Sequence, residues 1–151
     1  MQPPRFASCV AQVRRQIHTL KGTPRAVVVR DCAALFQSLN AQVLDFLITA
    51  RWNIDDAARL GISYTAAQVN AALASDRRRQ FPTAAGYRAF LHKTGQTNAD
   101  IRFRVLANLV SKALLARDHT MAAVDREARA LYRARTLCAP LYTISDCGSS
   151  G

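Results

Sequence analysis

The segment from Gly61 to Leu115 most constrains the fold, because it contains start and stop signals for three successive helices. Gly61 suits the position just past a helix end, where a left-handed residue closes the last turn. Thr65 and Gln68 have the spacing of a capping box, in which a hydroxyl and an amide satisfy the first free backbone groups. A helix is therefore predicted from this box to about Arg79.

Two more helices follow in the same segment. Phe81-Pro82-Thr83 interrupts the chain, and the helix after it is predicted to end at Gly95. Thr97 and Asp100 form a second capping box, with an acidic first turn that the helix dipole favours. The helix that begins there is predicted to reach about Arg117.

Three further helices are predicted outside this segment. An amphipathic helix over residues 5–20 is stopped by residues 21–24, a long helix covers about Val28 to Leu60, and a last helix covers about Val124 to Leu137. The long helix has apolar residues at steps of three and four, namely Phe36, Leu39, Val43, Phe46, Leu47, Ala50 and Ile54. The sequence thus predicts an all-α fold of about six helices, with one domain over residues 1–147 and a flexible tail over 148–151.

Charge and hydrophobicity limit the class of protein. The net charge of +11 attracts nucleic acid, anionic membrane surfaces or acidic protein segments. Positive residues are spread along the chain, however, and only Arg77-Arg78-Arg79 form a run, which is either a docking patch or a favourable charge at a helix end. No apolar run approaches the roughly 20 residues that span a bilayer, so no membrane span is expected. The first residues also lack the apolar core of a secretory signal.

Four cysteines are placed in pairs near the two ends of the chain. Cys9 and Cys32 flank a predicted turn, and Cys138 and Cys147 are close in sequence, so two local disulfides are geometrically reasonable. A zinc site is a second interpretation, although neither a C-x-x-C pair nor closely spaced histidines are present. Four buried free thiols are the third.

The histidines and the adjacent acidic residues do not have the spacing of a catalytic or metal site. His18, His92 and His119 are far apart in sequence and fit surface positions better than ligand or base roles. Asp55 and Asp56 are adjacent on a predicted helix, where side chains point about 100° apart, so a solvated face is expected. The sequence therefore predicts no catalytic residue, no metal ligand and no cofactor.

Several aromatic side chains are either core residues or, where exposed, candidates for binding unfolded protein. Apolar groups on a basic helical surface suit extended segments of varied sequence. The candidate binding residues are Trp52, Tyr64, Phe81, Tyr87, Phe90 and Phe103.

The order of these motifs resembles the N-terminal helical domain of the SurA-type foldase chaperones. The block from Gln42 to Ile48 with Trp52 resembles the helix that opens this domain. The other matching features follow it in the order Gly61-Ile62, Ser63-Tyr64-Thr65, Val69, Phe81-Pro82-Thr83, Phe90-Leu91, Thr94-Gly95-Gln96-Thr97 and Ala99-Asp100. The two ends of the chain, including Cys9 and the Arg133 to Cys138 stretch, resemble a secreted actinobacterial branch. The resemblance implies a domain that holds unfolded or partly folded clients outside the cytoplasm.

One departure affects the expected activity. Relatives usually carry a parvulin prolyl isomerase domain between the fifth helix and the last one, whereas only about residues 118–123 separate them here. A parvulin domain needs about a hundred residues, so its catalytic positions have no counterpart and isomerase activity is expected to be absent.

The leading hypothesis is a non-catalytic, chaperone-like domain that is extracytoplasmic or secreted. Its partners would be unfolded polypeptide clients, with acidic clients favoured by the positive surface, and a homodimer that completes the missing lobe is left open. A basic helical nucleic-acid-binding module is the alternative, and a peptidyl-prolyl isomerase by family membership is a further one. A cytoplasmic location is the alternative to secretion.

Overall fold

A computed structural model of the protein describes residues 6–17, 19, 22–139 and 142–148. Within these residues all regular secondary structure is helical and no strand occurs, which confirms the predicted all-α fold with one long helix. The helices are α1 (Ala7–Gln16), α2 (Arg25–Arg59), α3 (Ala66–Gln80), α4 (Ala84–Thr94), α5 (Asn98–Asp118) and α6 (Met121–Tyr132), and a 3₁₀ turn (Arg133–Arg135) follows α6.

Both predicted capping boxes are confirmed. The Thr65 hydroxyl accepts the backbone N–H of Gln68, whose side-chain oxygen accepts the Thr65 N–H at 2.7 Å. At α5 the backbone N–H and the hydroxyl of Thr97 donate to Asp100, and these bonds lower the pKa of the Asp100 carboxyl. The predicted helix stops are confirmed as well, since Gly61 and Gly95 have the left-handed φ values of +76° and +68°.

Four predicted helix boundaries were wrong. The first helix ends at Gln16, because Ile17 has an extended backbone (φ −113°, ψ 92°). Residues 5, 18, 20 and 21, which the prediction for this helix and its stop included, lie outside the described residues. The long helix starts earlier, at Arg25, directly after Pro24, whose fixed φ suits a helix N-terminus. The last helix also starts earlier, because the Thr120 hydroxyl caps it by accepting the N–H of Ala123, and it ends at Tyr132.

A small apolar core joins α1 to the beginning of α2. It contains the buried residues Phe6, Cys9, Val10, Val28 and Cys32, with Phe36 packed against it. The Cys9–Cys32 disulfide crosslinks the two helices inside this core. This pairing confirms one of the two predicted local disulfides.

A second core lies at the other end of α2. Ala57 packs there with Val110 and Leu114 from α5 and Val124 from α6. Arg59 extends the contact between α2 and α6, because it pairs with Asp56 at 2.8 Å and with Glu127 at 2.9 Å. The C-terminal half of α2 is therefore fixed by two other helices.

The chain after α6 folds back on α2 as a hook. Cys138 and Cys147 form the second predicted disulfide, so the zinc and free-thiol interpretations are wrong for the four cysteines. The Trp52 indole N–H donates to the Thr136 hydroxyl at 2.8 Å. Gly148, placed in the predicted flexible tail, donates its N–H to the Thr136 carbonyl at 2.6 Å, while residues 149–151 lie outside the described residues.

The middle of α2 is left uncovered by this arrangement. A helix of 35 residues is about 50 Å long, whereas the 10 residues of α1 extend only about 15 Å along it. Since α5 and α6 pack mainly against the C-terminal half of α2, an apolar stretch between the two cores lies at the surface. This stretch provides the candidate functional site.

Candidate functional site

A groove of about 620 Å³ runs between the middle of α2 and the beginning of α5. Its floor is formed by apolar side chains from both helices, and its edges carry polar groups. The lining residues are Leu39, Gln42, Val43, Phe46, Leu47, Gln96, Asp100, Phe103 and Arg104. We call this surface the α2 groove.

The apolar floor of the α2 groove is exposed to solvent. Val43 is 55% exposed, and Leu39, Phe46 and Leu47 are each more than 40% exposed. The Phe46 and Phe103 rings meet edge to face, with their centroids 6.2 Å apart, and so connect the two walls. A contiguous exposed apolar patch of this kind is typical of an interaction surface.

The polar edge of the groove includes an acceptor without a partner. The side-chain oxygen Oε1 of Gln96 is buried and makes no hydrogen bond with any described residue. An unpaired buried acceptor costs free energy, and a donor entering the groove would satisfy it. The backbone N–H groups of a polypeptide are donors of this kind. Asp100, by contrast, is already engaged in the α5 capping box.

Charge is absent from one segment of α2, which ends just before the exposed Asp45. Residues 32–44 contain no charged side chain, although the protein carries a net charge of +11. The α2 groove can therefore select for apolar surface through burial, and attraction of charge is not its main property.

The candidate binding aromatics fall into different environments. Trp52 is buried at 5% exposure, and Tyr87 is buried as well, so neither offers a free surface. Phe81 contacts Tyr87 and Phe90 with ring centroids 5.4 and 5.1 Å apart. These three side chains line a second cavity, of about 330 Å³, which lies between α3, α4 and α5.

The remaining two candidates, Tyr64 and Phe103, both line a pocket beside α5, but they differ in their other contacts. Tyr64 is half-buried, and its hydroxyl donates to the Leu109 carbonyl at 3.2 Å, so it anchors the α2–α3 connection to α5. Phe103 is half-buried and lines the α2 groove. Of the six candidates, Phe103 is thus the one that the structure places on this surface.

Sequence reasoning did not select the α2 residues that form most of the groove. Leu39, Val43, Phe46 and Leu47 were recognised only as a helical apolar pattern. Two signals in the sequence point to them: the absence of charge over residues 32–44, which include Leu39 and Val43, and an apolar stripe longer than the neighbouring α1 can cover. One signal is the local charge and the other is the length of the stripe, and the helical periodicity of apolar residues measures neither.

Acidic and basic residues singled out in the sequence are mostly paired. Asp55 pairs with Arg51 at 3.0 Å, as a solvated face would allow. Asp56 is buried instead, so the prediction of a solvated face was wrong for this residue, because its ion pair with Arg59 compensates the burial.

Two residues of the arginine run have partners. Arg77 lies over the Tyr87 ring, with its guanidinium carbon 5.2 Å from the centroid, and Arg79 pairs with Asp76. His92 and His119 are exposed, and His18 lies outside the described residues. Among the described residues, no three His, Cys, Asp or Glu side chains are grouped so that they could hold a metal ion.

One helix of the described chain, α2, is long and apolar enough to cross a membrane by length and composition. This is weak evidence, because a core helix of a soluble protein or a signal sequence near an N-terminus meets the same criteria. In this structure α2 is linked to α1 by a disulfide and packs against α5 and α6. The absence of a membrane span stays a prediction.

Comparison with known proteins found no matching family, no matching curated protein and no matching solved structure. The resemblance to SurA-type chaperones therefore stays a prediction from the sequence motifs.

Proposed function

We propose that this protein is a non-catalytic, chaperone-like domain that binds apolar segments of unfolded or partly folded polypeptides in the α2 groove. The observation that carries this proposal is the row of exposed apolar side chains in the middle of α2, which together with Phe103 forms an apolar groove. Gln96 is one of the residues that line the groove, and a backbone N–H of the bound segment would satisfy its unpaired side-chain oxygen.

The energetics of the groove favour weak, sequence-tolerant binding. Burying one exposed Leu, Val or Phe side chain contributes roughly 1.5–3 kcal/mol. Several such contacts are offset by the loss of translational and rotational freedom, which costs at least several kcal/mol, so net affinity is modest. A modest affinity based on apolar burial suits a protein that holds many different clients.

The two disulfides support a location outside the cytoplasm. Disulfides persist in secreted and periplasmic proteins and are rare in the reducing cytosol. Cys9–Cys32 holds α1 on the beginning of α2, and Cys138–Cys147 closes the C-terminal hook. The clients would accordingly be secreted or periplasmic polypeptides that have not yet folded.

A light-scattering assay with an aggregating client tests this function. At equimolar protein, we expect aggregation of a chemically unfolded, cysteine-free client to be delayed, because the α2 groove covers its apolar segments. The protein must be kept oxidised, so that both disulfides are intact. An unchanged rate of aggregation would contradict the proposal.

A further inference from the structure

A third cavity adjoins the α2 groove and has a different chemistry. It encloses about 340 Å³ between α2, α5 and α6, and Phe46 lines both this cavity and the groove. Its walls are more polar and include the residues Asp45, Thr49, Asn53, Asn108, Ser111, Asp125 and Arg129. We call it the acidic cavity.

Two residues that line the acidic cavity each have a buried side-chain oxygen without a hydrogen-bond partner among the described residues. Asn53 is only 2% exposed, and its side-chain oxygen Oδ1 is unpaired. The Oδ1 oxygen of Asp125 is also buried and unpaired. Native proteins pair nearly all buried polar atoms, so two unpaired acceptors on residues that line one cavity indicate that a donor normally enters it.

The charges around the acidic cavity also favour a cationic donor. Asp45 and Asp125 contribute carboxylates, whereas Arg129 donates to Asp146 at 2.8 Å, and Asp146 is itself buried. The guanidinium of Arg129 is thus engaged with a third carboxylate. Burial raises the pKa of Asp125, Arg129 lowers it, and the negative charges of Asp45 and Asp146 raise it further. A cation placed here would relieve this repulsion.

We propose that the acidic cavity receives the Lys or Arg side chain of a polypeptide segment bound in the α2 groove. The proposal rests on the proposed function, because the segment must first occupy the groove. Since Phe46 separates the two spaces, an apolar residue in the groove and a basic residue a few positions away can be accommodated together. The N–H groups of the basic side chain would donate to Asn53 and Asp125, and its alkyl stem would pack along Phe46.

The acidic cavity would give the groove a preference for segments with a basic residue, which the positive net charge of the protein does not give. The overall charge of +11 attracts acidic clients at long range and repels basic ones. The acidic cavity acts at short range, on a segment that is already bound. Clients with an apolar stretch next to a lysine or arginine would then be held longest.

Two labelled peptides that differ at one position test the proposal. Both carry the same leucine-rich apolar stretch; one has a lysine beside it, and the other has norleucine, which has a similar alkyl chain and no charge. Affinity is measured by fluorescence anisotropy, and the emission of Trp52, the one tryptophan of the chain, reports entry into the cavity that it lines. We expect the lysine peptide to bind roughly tenfold more tightly, about the effect of one charge-assisted hydrogen bond.

Matched variants separate the cavity from the general charge of the protein. Asp125→Asn is expected to remove the tenfold difference between the two peptides. Asp55→Asn removes the same charge from the exposed Arg51–Asp55 pair on α2 and should leave the difference intact. Circular dichroism of each variant establishes that the helices remain folded.

The outcomes distinguish the two proposals. Equal affinities of the lysine and norleucine peptides, with both bound, would show that the cavity does not recognise the basic group; this would overturn the inference while leaving the groove in place. A lysine preference that survives Asp125→Asn would overturn it as well. Binding of neither peptide would reject the groove itself, and with it this inference.

Discussion

Introducing charge into the floor of the α2 groove is expected to weaken client binding strongly. The double substitution Leu39→Lys with Val43→Lys places two ammonium groups where apolar side chains of a client would be buried. Losing two such contacts, at roughly 1.5 kcal/mol each, weakens affinity by about 100-fold. The measurement is the affinity for a labelled apolar peptide, together with the delay of client aggregation.

The fold itself should tolerate this change, because both residues are largely exposed and lie between the two cores. Leu131→Lys with Leu137→Lys is the matched control, since these leucines are also exposed and the added charge is the same. This control should bind the peptide as the wild type does. An equal loss in both double variants would mean that added positive charge, and not the groove, causes the effect.

Truncating Leu114 is expected to cost more stability than truncating its neighbour Leu115. Leu114 is fully buried in the second core, between Ala57, Val110 and Val124. Leu114→Ala should lower the free energy of unfolding by roughly 3–5 kcal/mol, from lost apolar burial and the cavity left behind. Urea denaturation followed by circular dichroism gives this value.

Leu115→Ala provides the control for helix propensity and chain position. Leu115 is 38% exposed on the same helix, so its removal should change the free energy of unfolding by less than about 1 kcal/mol. Similar losses in the two variants would contradict the packing of α5 against α2 and α6.

The helix boundaries that depend on local signals could be predicted from the sequence. Gly61 and Gly95 end helices because a left-handed residue closes the last turn, and both capping boxes act within four residues. The start of α6 was missed because Thr120 caps it without a partner acid or amide at the third helical position, so its signal is only a hydroxyl.

The candidate site depends on contacts between helices, which the sequence pattern of a single helix does not show. Periodicity showed that Leu39 and Val43 lie on one face of α2, but it does not show whether another helix covers that face. The acidic cavity combines Asn53 of α2 with Asp125 and Arg129 of α6, and Asp146 of the hook holds Arg129. These residues are far apart in sequence, and only the tertiary packing brings them together.

Site-specific photo-crosslinking tests most directly whether the α2 groove holds clients. A photoreactive benzoylphenylalanine replaces Val43 in one variant and Leu131 in another, and each oxidised protein is irradiated with an unfolded client. We expect crosslinks to apolar client segments from position 43 and few or none from position 131. Equal crosslinking at both positions, or crosslinks at position 43 only to a second copy of this chain, would contradict the proposed function.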